Sequence, residues 1–173
     1  MSQLVFQPSL DPFHAVFRFL RLRPLFDAAN ALSRDHSRVL DFYLLFPFLI
    51  KNIRLAPKHQ KYKKLSAKYV HLKPYGEQPD GSLMLQRMDP MQSAALETLA
   101  LKSYLDIEAL QNDIVQATAR EIPKQIDERI SALNESQSDL LEFLSILASE
   151  YEILGENGLK ARTSLMEYRY DAV

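Results

Sequence analysis

Residues 39–50 are apolar nearly all the way round a helix. Val39, Leu40, Phe42, Tyr43, Leu44, Leu45 and Phe46 follow one another with a single charge, Asp41, before Pro47 intervenes. A helix without a polar face is central and buried. The run is also well short of the roughly 20 residues needed to cross a bilayer. The chain is therefore expected to build around this segment as a mainly helical domain, with Pro47 kinking or ending the helix.

The surrounding segments carry helical signals of their own. Asp11-Pro12 reads as a cap followed by a proline at the first helical position. Phe13, Phe17 and Leu20 then fall at i, i+4 and i+7 as an expected core stripe, with His14, Arg18 and Arg21 as a second stripe, and Pro24 ends or kinks the helix. Asp35 is expected to begin the central helix. Asp89-Pro90 repeats the cap-and-proline start, with Leu96, Leu99 and Ala100 as its stripe. A shorter helix is expected over residues 107–119. Pro123 opens another through Ile126, Ile130 and Leu133. Ser136 with Asp139 resembles a capping box for a last long helix, whose core face is Leu140, Leu144, Leu147, Tyr151 and Leu154 and whose cap is Gly155. Between these, residues 75–81 have turn chemistry, and residues 69–72 and 83–86 are short strand candidates for a hairpin. Residues 159–170 alternate as an extended tail would. One domain over residues 1–173 is expected, with a soft joint near residues 73–89.

Composition excludes much chemistry. There is no cysteine, so disulfides and thiolate metal sites are ruled out, and a reducing compartment fits. No glycine-rich phosphate loop and no nucleophile elbow is present. The histidines, His14, His36, His59 and His71, show neither i, i+4 spacing nor an HExxH pattern, so a metal site has no support. Acid pairs such as Asp127-Glu128 and Glu150/Glu152 read as solvated helix faces. Residues 1–10 lack the basic start of a signal peptide, and Asp11, His14 and Arg18 interrupt the apolar positions after them. A cytoplasmic protein with no membrane segment, no cofactor and no catalytic site is the expectation.

Charge is distributed unevenly. Residues 1–87 hold 14 Lys/Arg and 6 Asp/Glu, whereas residues 88–173 hold 7 and 16, which returns the net −1. Within the first half, residues 51–73 contain no acid. Lys58, Lys61, Lys63, Lys64 and Lys68, interleaved with Tyr62 and Tyr69 on an expected helix over residues 58–68, have the make-up of a phosphate-binding patch. The same pattern also suits a solvated helix, or a surface that meets an acidic partner or the chain's own acidic half.

Three segments carry a family resemblance. They are the opening around Phe6, Pro8, Asp11, Pro12, His14 and Arg18, the central Leu40-Asp41-Phe42-Tyr43, and the closing Gly158-Leu159-Lys160, Arg162, Thr163 and Tyr168-Arg169-Tyr170-Asp171. Together they resemble the middle components of ABC-three-component systems, of which the Lamassu-type defence systems have the same arrangement. The resemblance implies a winged-helix-like, non-enzymatic subunit. Such a subunit sits with an SMC-like coiled-coil ATPase and restrains an effector nuclease until foreign DNA is sensed, with double-stranded DNA as a further contact of the complex. It carries Asp11, His14, Arg18, Gly158, Lys160, Arg162 and Thr163 over as motif positions for partner contact or structure. The alternative from a different class is a free-standing winged-helix DNA-binding regulator.

Overall fold

The computed structural model describes residues 7–27 and 29–168. Phe6 and the closing Arg169, Tyr170 and Asp171 of the family motif lie outside the described residues. Asp11 opens α1 (Pro12–Leu22) by accepting from the N–H groups of Phe13 and His14 at 2.8 and 3.2 Å. The face turned inward is only partly the expected one: Leu20 is buried and Phe17 half-buried against the core. Ala15, Arg18, Phe19 and Leu22 are buried, whereas Phe13 is 84% exposed. The helix is rotated because Arg18 finds a carboxylate inside, Asp41, which draws the polar stripe inward. Pro24 falls in the 3-10 turn Arg23–Leu25 that ends the helix.

The apolar run forms α2 (Arg34–Leu45), capped by the Ser33 hydroxyl, which accepts from the His36 N–H at 3.1 Å. It packs on α1 and lies at the centre with Val39, Leu40, Phe42, Tyr43 and Leu44 buried. Pro47 begins a 3-10 turn, Pro47–Asn52. The basic segment is helical, as a 3-10 stretch Pro57–Lys64 that runs into α3 (Leu65–Lys68). Its thin apolar stripe of Tyr62, Leu65 and Tyr69 is buried.

The hairpin expected from residues 69–72 and 83–86 does not form. Residues 70–72 make a 3-10 turn, and residues 83–86 belong to α4 (Gly81–Leu101), which starts at an Asp80 cap well before Asp89-Pro90. Pro90 therefore lies inside a helix, at a cost of about 3 kcal/mol. The helix persists because Met84, Leu85, Met88 and Leu96 are all buried. Each such side chain contributes about 1.5–3 kcal/mol, which outweighs the proline.

The two strands lie elsewhere and are far apart in sequence. β1 (Leu32–Ser33) pairs antiparallel with β2 (Ile114–Val115), with Leu32 opposite Val115. This sheet shortens the helix expected over residues 107–119 to α5 (Ile107–Gln111), which ends before Asp113 at a positive φ of 59°. α6 (Lys124–Ser136) comes next, with Ile130 buried and Ile126 exposed.

α7 (Ser138–Glu150) packs Leu140, Leu144 and Leu147 into the core beside α2. Its start is not a capping box. The Ser136 hydroxyl donates to the Leu133 carbonyl at 2.8 Å, and Asp139 is occupied by Tyr69 and Lys68. The helix also stops short of Gly155, because Tyr151 turns extended, which places its hydroxyl 3.0 Å from the Ala56 N–H. The tail is not extended at its start: Leu159–Thr163 forms α8, closed by Ser164 at a φ of 54°. The chain is thus mainly helical with a small antiparallel sheet. No helix among the described residues is long and apolar enough to cross a membrane.

Candidate functional site

Two of the side chains singled out at the ends of the chain, Arg18 and Lys160, belong to one polar network that runs through the core. From α1, Arg18 pairs with Asp41 of α2 through both nitrogens, Nε–Oδ1 at 2.6 Å and Nη2–Oδ2 at 3.1 Å, and its Nη1 donates to the Pro8 carbonyl. Gln92 of α4 donates to Asp41 Oδ2 at 2.9 Å and accepts from Arg38 Nε at 3.0 Å. Arg38 continues to Asp35 and Asp89, each at 3.2 Å. Asp35 in turn meets the Lys160 ammonium of α8 at 2.9 Å. Arg18, Asp41, Gln92 and Lys160 are all buried. The bidentate geometry and the extra hydrogen bond to Asp41 are what a charge pair in a low-dielectric interior requires. Arg18 and Lys160, some 140 positions apart in sequence, are joined through two intervening helices, α2 and α4.

The other motif positions have local roles. Asp11 caps α1, and His14 sits on that exposed first turn. Gly158 is required by space. A Cβ there would lie 2.1 Å from the Leu154 carbonyl oxygen and 2.7 Å from that of Ile153. This close approach lets Leu159 and Lys160 donate to the Glu152 and Ile153 carbonyls at 2.8 and 3.1 Å. Arg162 donates to the Asn157 and Arg54 carbonyls and lies 5.2 Å from the Tyr151 ring centroid. The Thr163 hydroxyl donates to the Leu159 carbonyl at 2.6 Å.

The basic segment faces the acidic helix α7. Lys58 pairs with Glu150 and Lys68 with Asp139, while the hydroxyls of Tyr62 and Tyr69 donate to Glu142 and Asp139, both at 2.6 Å. Against the upward push of burial, hydrogen bonds from Lys68, Tyr69 and the Leu140 N–H hold Asp139 below its ordinary range. Lys58 does the same to Glu150. Lys61 lies 5.0 Å from the Tyr62 ring centroid, Lys64 is exposed and Lys63 half-buried. Of the five lysines, the structure thus brings Lys58 and Lys68 onto α7 and leaves Lys61, Lys63 and Lys64 apart from it.

One arrangement has the outline of a proton relay. His59 Nδ1 lies 2.7 Å from the Tyr151 hydroxyl and its Nε2 lies 3.4 Å from Glu150. The hydroxyl also accepts from the Ala56 N–H. Held between the His59 ring and the Ala56 N–H, the phenol is fixed as a strut between residues 56–59 and the end of α7. No group of three or more potential metal-ligating side chains occurs among the described residues.

Sequence reasoning missed Gln92, Arg38 and Asp35 as network members. Asp41 alone carried a legible signal, as an acid inside an apolar run.

No curated protein and no solved structure matches the chain. The family model described as ABC-three component (ABC-3C) system Middle Component 5 matches residues 4–171. That match spans nearly the whole chain, both ends of the network included, and the chain therefore belongs to this family of accessory components that work with the other components of their system.

Proposed function

We propose that this chain is a non-catalytic accessory subunit of a prokaryotic defence complex, bridging the head of an SMC-like coiled-coil ATPase and an effector nuclease. The observation that carries the reading is the family match over residues 4–171. The internal network supports it: Arg18, Asp41, Gln92, Arg38, Asp35 and Lys160 are engaged with one another inside the fold. In this role the molecule acts as a rigid spacer. Its two ends are joined through α2 and α4, so a load on one surface is transmitted to another.

Reconstitution tests the reading. The chain alone should hydrolyse neither nucleotides nor nucleic acid, and its removal from the ATPase–effector assembly should release DNA cleavage without a trigger. Unchanged cleavage with and without the chain contradicts it. A second reading, direct contact with duplex DNA, is favoured by the outward positions of Lys61 and Lys64. Charge reversal at Lys61, Lys63 and Lys64 should then lower DNA affinity and flatten its salt dependence. Duplex binding by the isolated chain, lost on the same reversal, would instead support a free-standing DNA-binding regulator.

A further inference from the structure

Outside the network, the first turn of α1 carries an apolar side chain that the rest of the described chain does not cover. Phe13 is 84% exposed, and the same side of the helix continues inward through half-buried Val16 to buried Leu20. With Leu99, Tyr104 and Ile126 these residues line a groove of about 530 Å³ between α1, the end of α4 and the start of α6. Phe13 and Leu20 belong to the stripe that reads as core in the sequence. The chain buries Arg18 and Arg21 on the inner side of α1 and leaves a phenylalanine in water on the outer side. Burying that ring would contribute about 1.5–3 kcal/mol. A cleft between helices with this lining is a receptacle for the apolar face of another helix.

Charge indicates the character of that incoming helix. The end of α4 and all of α6 belong to residues 88–173, where Asp and Glu outnumber Lys and Arg by 16 to 7. Yet no carboxylate lines the groove, and Lys102 does. The Arg120 guanidinium lies 4.8 Å from the centroid of the Tyr104 ring, which lines the groove. A cation-edged groove in the acidic half of the molecule favours an incoming helix with acidic flanks and disfavours a basic one.

We infer that this groove receives an amphipathic helix from a partner component of the system, with an apolar stripe flanked by acidic residues. The inference rests on the accessory-subunit reading and names the surface that serves it.

A photo-crosslinker tests it. Phe13 is replaced by benzoylphenylalanine in the full chain, which is co-expressed with its two companion components and irradiated. The expected product joins position 13 to a companion's helical segment with apolar residues at i and i+4 and Asp or Glu beside them. Phe13→Asp and Lys102→Glu should each weaken the assembly by about tenfold with the melting temperature of the free chain unchanged. Crosslinking to residues 1–6 of the same chain, to a second copy or to a basic segment overturns the inference. So does an assembly that forms without any crosslink from position 13. If no assembly forms at all, the accessory-subunit reading itself fails and the inference falls with it.

Discussion

Arg18 and Asp41 shield each other from the cost of an unpaired charge in the core, so each depends on the other. Arg18→Met or Asp41→Asn alone should lower the unfolding free energy by about 3–5 kcal/mol, whereas Arg18→Met with Asp41→Leu should recover most of that loss. Urea denaturation checks this, and equal losses in the single and double variants would contradict it. Gly158→Ala drives a methyl into the backbone of residue 154 and should cost about 1–3 kcal/mol, read as a fall in melting temperature. Burial holds His36 below its ordinary value of 6.5, against the opposing effects of its 2.8 Å hydrogen bond to the Leu147 carbonyl and the nearby Glu152. The unfolded chain then binds a proton before the folded one does as the solution is acidified. Stability should therefore be fully present above pH 6.5 and decline as the pH falls from there towards the folded-state value. Urea melts of the native chain and of His36→Gln across this window should differ in slope, steeper for the native chain.

At the scale of elements, helix positions were legible wherever a cap and an apolar period coincided, as at Asp11 and through residues 39–46. They were misread where tertiary burial overrode a local signal. Pro90 reads as a helix start because proline is tolerated there, yet four buried side chains carry α4 straight through it. Pro90→Ala should accordingly stabilise the chain by about 1–3 kcal/mol. A lower melting temperature in that variant would show that the proline shapes the helix in a way the packing needs. β1 and β2 were not legible, because strands of two residues have no period and their pairing joins positions 32 and 115. The rotation of α1 was hidden for a related reason. Periodicity shows that two stripes exist, but the choice of the inner one depends on Asp41, contributed by another helix. The motif at the chain ends was visible as residues, while its physical content was not, since Arg38 and Gln92 lie in neither end.

At the scale of the whole molecule, the opposite charges of the two halves meet at its surface, along α7. Lys58, Tyr62, Lys68 and Tyr69 face Glu150, Glu142 and Asp139 along α7, which favours the pairing of the chain with itself among the readings the sequence left open. Outward among the described residues are the cation-edged apolar groove and Lys61 and Lys64, surfaces suited to contact. The account's central claim is that this chain works through contact with companion components, and the mass of the co-expressed system by light scattering tests it most directly. The prediction is a single species heavier than either companion that contains this chain in fixed proportion. Elution of the chain at the mass of a lone subunit, with its companions present and folded, would contradict the account.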